Sequence, residues 1–299
     1  MSDYTPVTKQ LLFSRVNLIH AFSGATGSVV AMTIFYPLEI IRTRLQVDDR
    51  KDLIHLATLA AEIIRDEGWS CFYEGIRPLL ISLYCSNFIY FYTYTGLKLL
   101  VSRKGLSHSA PIDLLLAAIS GSVNVIITTP LWVATTRIKL QNARIRTEEG
   151  AVQTHMERYS GLTDGIVKIA REEGLYQLWS SVFSSLILVS NPAIQYMVYE
   201  MAKRRLKQTN SSLSVFLMGA FAKLISTILT YPIQVGQARQ RASSRRVGLI
   251  VCLIELVQSR GVLGLYRGLE TKLLQTVLTS AFMFVVYEKI LLLLMKRKL

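Results

Sequence analysis

Two lysines stand where a cation is costly to place. Lys223 lies inside an apolar run nine residues before Pro232, where the two earlier runs of the same kind carry Ser28 and Gly121. Lys272 stands near the start of the last apolar run, with Gln275 one turn deeper on the same helical face. Ionisable side chains in such runs need a purpose, and two inward-facing cations suit a phosphate-bearing anion. Plainer roles also fit: Lys272 reaching an interface, or Lys223 holding a backbone carbonyl. Catalytic chemistry has no comparable foothold. His20, His55, His108 and His155 are scattered singly, and no Gly-rich phosphate loop, nucleophile elbow or paired metal-ligand spacing is present. No enzyme and no metal site are expected.

A second set of reactive residues occurs three times. Pro37-Leu38-Glu39-Ile40-Ile41-Arg42-Thr43-Arg44-Leu45-Gln46 ends an apolar run that begins near Leu18. Pro130 to Gln141 and Pro232 to Arg241 keep the proline and the basic residue seven positions on, Arg137 and Arg239, while the polar residues between them change. A proline removes one backbone donor and kinks the helix that contains it. Charges just past such a kink can pair and unpair with neighbours. Recurrence near every hundred residues marks three copies of one unit.

The elements that position these groups follow from composition. Of the 299 residues 51% are hydrophobic, yet the formal charge is +14. A mean hydropathy of +0.35 beside such a charge is reconciled if apolar spans sit in lipid while Lys and Arg gather in the loops. Six spans are expected, near 18–45, 79–100, 112–138, 182–201, 213–235 and 271–295, each close to the ~20 residues that cross a bilayer. The fold class is therefore an all-α membrane protein with six transmembrane helices. The spans carry Ser86-Asn87, Thr128-Thr129, Ser190-Asn191 and Ser226-Thr227, so at least one face of each meets water or another helix. Ser23, Gly27 and Ala31 stand four apart, a spacing that lets helices approach closely.

Between the spans of each copy lies a shorter amphipathic stretch, Leu53 to Arg65, Leu162 to Arg171 and Leu249 to Val257, suited to a helix on the membrane surface. The linker from Asn142 to Tyr159 is the longest and carries both signs of charge, which predicts a solvated loop. The copies are bounded as 15–105, 106–208 and 209–299, one kinked span, one surface helix and one second span each, together enclosing a central path. Cys71, Cys85 and Cys252 share no close spacing and read as packed thiols. The first sixteen residues lack the basic start and short apolar core of a cleaved leader, so none is expected. Dispersed charge with no recognition motif excludes nucleic acid as a partner. Basic residues fall on both sides of the spans, so loop charge gives no orientation.

The motif Pro-x-acid-x-x-basic-x-basic, followed after the surface helix by acid-Gly-x4-aromatic-basic-Gly and tripled over nearly the whole chain, resembles the mitochondrial carrier family of solute transporters. The resemblance implies six tilted helices in threefold pseudosymmetry with three surface helices on the matrix-type side. It also implies alternating access to a mid-membrane site between two gates. Cys85 to Thr93, Thr128 to Val133, Asn191 to Met197 and Gly268 to Thr279 look like the peroxisomal members that exchange coenzyme A, FAD, NAD and adenine nucleotides. These cofactors would be cargo, not resident groups. The expected partners are the bilayer, an anionic nucleotide-like substrate and a peroxisomal membrane-protein import receptor, with the carrier itself a monomer. Two alternatives stand beside this: a mitochondrial inner-membrane carrier of pyrimidine nucleotides, FAD or folate, and an assembly receptor that has lost transport.

The family also assigns roles by position. Its matrix-side gate pairs the acid and base of the proline motif, matched here by Glu39 and Arg42, then Trp132 and Thr135, then Gln234 and Gln237. No complete ionic ring can form, and hydrogen bonds worth about 1 kcal/mol each, or packing of Trp132, would replace it. The opposite gate uses aromatic-acid-x-x-basic: Tyr199-Glu200 with Lys203 fits, Tyr94-Thr95 with Lys98 lacks the acid, and Tyr287-Glu288 lacks the base. That leaves Lys98, Glu200, Lys203 and Glu288, whose plainer role is to cap helix ends. Ser86, Asn87 and Tyr90 fall at the family's contact position in the second span, and Asn191 and Gln195 in the comparable part of the fourth. Amides can read an adenine edge and a ring can stack on its face, although Tyr84, Tyr90, Tyr92 and Tyr94 also suit ordinary interface aromatics.

Overall fold

The computed structural model describes residues 29–48, 56–103, 110–141, 143–146, 152–154, 159–205, 212–245, 247–279, 282 and 289. A helical turn over 29–34 leads into α1 (Tyr36–Val47), followed by α2 (Leu56–Glu67) and α3 (Ile76–Arg103). The second repeat gives α4 (Ala110–Leu140), strands β1 (Arg144–Arg146) and β2 (Val152–Thr154), α5 (Leu162–Glu172), α6 (Val182–Leu188) and α7 (Asn191–Arg205). The third gives α8 (Ser212–Ala242), α9 (Leu249–Arg260) and α10, residues 269–279. Residues up to Ile40 with those from Glu270 onward form one compact unit, and Ile41–Leu269 a second.

Length separates the spans from the surface helices. With 28 residues in α3 and 31 each in α4 and α8, these helices reach about 42–46 Å and exceed the ~30 Å hydrocarbon thickness. Helices α2, α5 and α9, of 12, 11 and 12 residues, reach only about 17 Å. Each surface helix buries one stripe: Leu59 and Ile63 on α2, Gly165 and Ile169 on α5, Leu249, Cys252 and Leu256 on α9. On α5 the stripe joins Val133, Ala134 and Ile138 of α4 with Tyr159 and Leu178. The exposed start of that helix is held by Asp164, which accepts the Ser160 N–H at 2.9 Å and the Lys168 ammonium at 3.1 Å. Both contacts hold its carboxyl below the usual carboxylate range, the backbone donor more strongly.

Two features depart from the simple repeat. The linker expected as a loop contains an antiparallel ribbon pairing Arg144 with Thr154, Ile145 with Gln153 and Arg146 with Val152, where Ile, Val and Thr favour extended backbone. The fourth span is two helices, and Pro192, in the first turn of the second, donates no N–H to the Leu188 carbonyl that ends the first. Val189 and Ser190 close the first piece through tight turns onto Leu186 and Ile187, and the Ser190 hydroxyl also donates to the Ile187 carbonyl at 2.6 Å.

Candidate functional site

Each proline inside a span leaves one carbonyl without its helical donor, and the structure shows how one such carbonyl is satisfied. Pro130 cannot donate to the Ile126 carbonyl four residues back. The indole N–H of Trp179 donates to it instead, at 2.8 Å, so the aromatic of the second repeat's turn braces that repeat's own kink. Beyond the prolines, the ends of α1, α4 and α8 come together. Val47, Leu140, Ala143 and Ala242 form an apolar plug with a contribution from every repeat.

Around the plug, the basic residue seven beyond each proline is tightly held. The Arg44 guanidinium donates two parallel bonds to Glu67, each 2.7 Å. Arg137 forks onto Glu173 in the same way, and also donates to the Arg241 carbonyl at 3.2 Å and the Ser243 carbonyl at 2.8 Å. Arg239 donates to the Gln46 carbonyl at 2.9 Å and the Asp48 carbonyl at 3.1 Å. Arginine's planar fork suits both carboxylates and pairs of carbonyls. The Gln46 amide in turn donates to the Tyr231 hydroxyl at 3.3 Å, and that hydroxyl donates to the Arg267 carbonyl at 2.9 Å.

The turn after each surface helix seats against the next repeat. A Cβ on Gly75 would lie 2.9 Å from Lys139 Cγ, and one on Gly268 would lie 3.4 Å from the Arg42 carbonyl and from Leu45 Cβ. Both glycines hold positive φ, 70° and 79°, which side-chain-bearing residues rarely adopt. Ser181 occupies the matching place in the second repeat, and its hydroxyl accepts a bond from Arg241 at 3.1 Å.

The residues assigned to the matrix-side gate bond laterally. Thr135 pairs with Ser82 at 2.8 Å, Gln237 donates to Ser185 at 2.7 Å, and Gln234 donates to Thr230 of its own helix at 3.1 Å. Trp132 lies under the Arg241 guanidinium, 5.6 Å from carbon to ring centroid, a cation–π arrangement. Arg42 is half-buried. In the other unit the buried carboxylate of Glu39 accepts a 3.2 Å bond from Gln275, so that amide serves Glu39 as well as being a candidate contact for cargo.

Among the proposed contact residues, Ser86 exchanges bonds with Asn124 of α4, and Asn191 donates to Thr230 at 2.8 Å. Tyr90 stacks on Tyr94, centroids 6.2 Å apart. Asn87 is exposed and Gln195 half-buried. Lys223 is exposed, with no hydrogen bond or ion pair to its ammonium among the described residues, and Lys272 is half-buried. At the far end of the spans Lys98 sits 3.9 Å from Asp113 and 5.8 Å from the Tyr94 ring centroid. Glu200 is half-buried and Lys203 exposed, and Glu288 lies outside the described residues.

Sequence reasoning met Glu67 and Glu173 only as the acid before the turn glycine, without a partner, and did not single out Asp48, Asn124, Tyr231 or the serines of α6. A signal existed for the first two: a recurring base beyond each proline and an acid before the turn glycine in two copies of three are a charge pair in search of contact.

The family described as mitochondrial carrier protein matches three times, over residues 14–105, 107–210 and 208–298. The chain is 46% identical over 293 residues to Peroxisomal membrane protein PMP34 of Mus musculus, covering 93% of this chain and 94% of that one. It is 31% identical over 313 residues to the Peroxisomal nicotinamide adenine dinucleotide carrier of Arabidopsis thaliana, covering 91% and 95%. It is also 31% identical over 308 residues to Peroxisomal adenine nucleotide carrier 1 of Glycine max, covering 92% and 90%. Three tandem matches spanning nearly every residue, on a helical frame of kinked spans and surface helices, show that the chain belongs to the mitochondrial carrier family and is a membrane transporter, not an enzyme.

Proposed function

We propose that this chain is a counter-exchange carrier of nucleotide-type cofactors, coenzyme A, FAD, NAD and AMP or ADP, working by alternating access. It is a multi-pass protein of the peroxisomal membrane, the compartment named for the relatives above. Its three repeats act as one transport domain, and a path built within one chain needs no second copy. The peroxisomal address makes a membrane-protein import receptor its partner in biogenesis.

The observation that carries the cargo class is a stripe on α8. Lys223, Thr227, Thr230, Gln234, Gln237 and Arg241 follow one another at steps of four, three, four, three and four residues, and therefore share one face. A helix facing only lipid carries no such stripe. A cation stands at each end, hydroxyls and amides lie between, and Asn191 joins the stripe through Thr230. Phosphate meets Lys223, while the amides offer donors and acceptors to a base edge. Lys272, in the last span, is a further cation that suits phosphate.

The test is uptake by liposomes containing the purified protein and loaded with AMP. Labelled coenzyme A, NAD or FAD enters saturably only when AMP is inside, and Lys223→Ala lowers uptake about tenfold or more, the worth of one charge-assisted bond. Equal uptake into empty liposomes overturns counter-exchange, and no uptake of any of these compounds overturns the cargo class.

A further inference from the structure

The three repeats tie their surface helices differently. In the first and second, the acid before the turn glycine, Glu67 or Glu173, holds the arginine seven beyond that repeat's own proline. In the third repeat the same position is Arg260. The residues eleven beyond the three prolines are Asp48, Gln141 and Ser243, so one chain end out of three carries an acid. That end is the one facing Arg260. Arg260 donates to the Asp48 backbone carbonyl, and so do Arg239 at 3.1 Å and Arg267 at 3.0 Å. Asp48 and Arg267 are only 6% and 7% exposed, so three guanidiniums gather on the carbonyl of a residue whose own carboxylate is also buried in this corner. The second corner uses Arg137 and the neutral amide of Gln177, donating to the Ser243 carbonyl at 2.8 Å, with Glu173 behind the arginine.

We propose that the third repeat's charge pair has been transposed across the repeat boundary, from the surface helix to Asp48. The tie that elsewhere joins a surface helix to its own span here joins α9 and its turn to the end of α1. Three cations also complement the carbonyl end of the α1 dipole. The end of α1 is thus anchored from the third repeat, and α9 travels with the first repeat when the plug of Val47, Leu140, Ala143 and Ala242 opens. Arg260 and Asp48 are positioning residues: they set how firmly one corner of the gate is held, and touch no cargo. Opening of the plug belongs to the transport reading above, whereas the tie itself is measured without transport.

The test is a double-mutant cycle in the full chain. Arg260→Glu and Asp48→Ser each lower the thermal midpoint in detergent, and the double variant, which restores the pattern of the second repeat, regains most of the loss. A cysteine introduced by Val47→Cys is then labelled faster by a membrane-impermeant maleimide in the double variant than in the parent, with the chain lacking Val47→Cys as background. Losses that merely add overturn the transposed pair, and recovery without faster labelling overturns the anchoring of α1. Recovery with faster labelling but without nucleotide uptake upholds the tie and rejects the cargo assignment instead. Should Arg260→Glu fail to fold, Arg260→Gln with Asp48→Asn closes the same cycle in smaller steps.

Discussion

The two ends of the unit Ile41–Leu269 are held by different physics. At the surface-helix end, Arg137 is 5% exposed and Glu173 14% in their side chains, the fork between them is bidentate, and an apolar plug lies alongside. At the other end the ion pair of Lys98 and Asp113 is 3.9 Å long, with side chains 44% and 38% exposed. A buried fork loses heavily when one member is removed, whereas an exposed pair contributes little. This unit is therefore tightly fastened at one end and loosely held at the other. The fastening at the surface-helix end lies one to two turns beyond the residues that the proline motif assigns to the gate, where side chains grip the carbonyls of a neighbour's last turn.

Substitutions at the two ends put the difference to a measurement. Glu173→Ala strands the Arg137 guanidinium and is expected to destabilise by about 2–4 kcal/mol, read as a fall in the thermal midpoint in detergent. A fall no larger than that of an exposed pair removes the contrast. Trp132→Ala removes the ring beneath Arg241 and is expected to cost about 1–2 kcal/mol, with Trp132→Phe in between. Equal losses for Ala and Phe would mean that the ring face contributes nothing. Asp113→Asn at the loose end is expected to change the midpoint by less than about 1 kcal/mol, and by less still at high salt. A large, salt-resistant loss there would show that this end is locked as well.

The parts of the molecule that were legible in the sequence are those set by local rules. Apolar length gave α3, α4 and α8, and a 3.6-residue period gave α2, α5 and α9. The break at Val189 and Ser190 was harder to read, since Pro192 lies in a run that is apolar on both sides. Partner choice was least legible. Gln237 and Thr135 stood out in the sequence through their places after the prolines, but their partners Ser185 and Ser82 are ordinary serines until the register of antiparallel spans is known. Arg260 in place of the acid of the other two copies was visible, and its bond to the Asp48 carbonyl was not, because the two are 212 residues apart.

The divided fourth span has a mechanical consequence. Its inner arm, α6, is lashed to α8 by Ser184 donating to Gln240 at 2.7 Å and by Ser185 accepting from Gln237. Its outer arm, α7, packs closely along the same helix and adds the bond from Asn191 to Thr230. Both arms therefore grip α8, so a displacement at the level of Asn191 carries to that helix and is not confined to the outer arm.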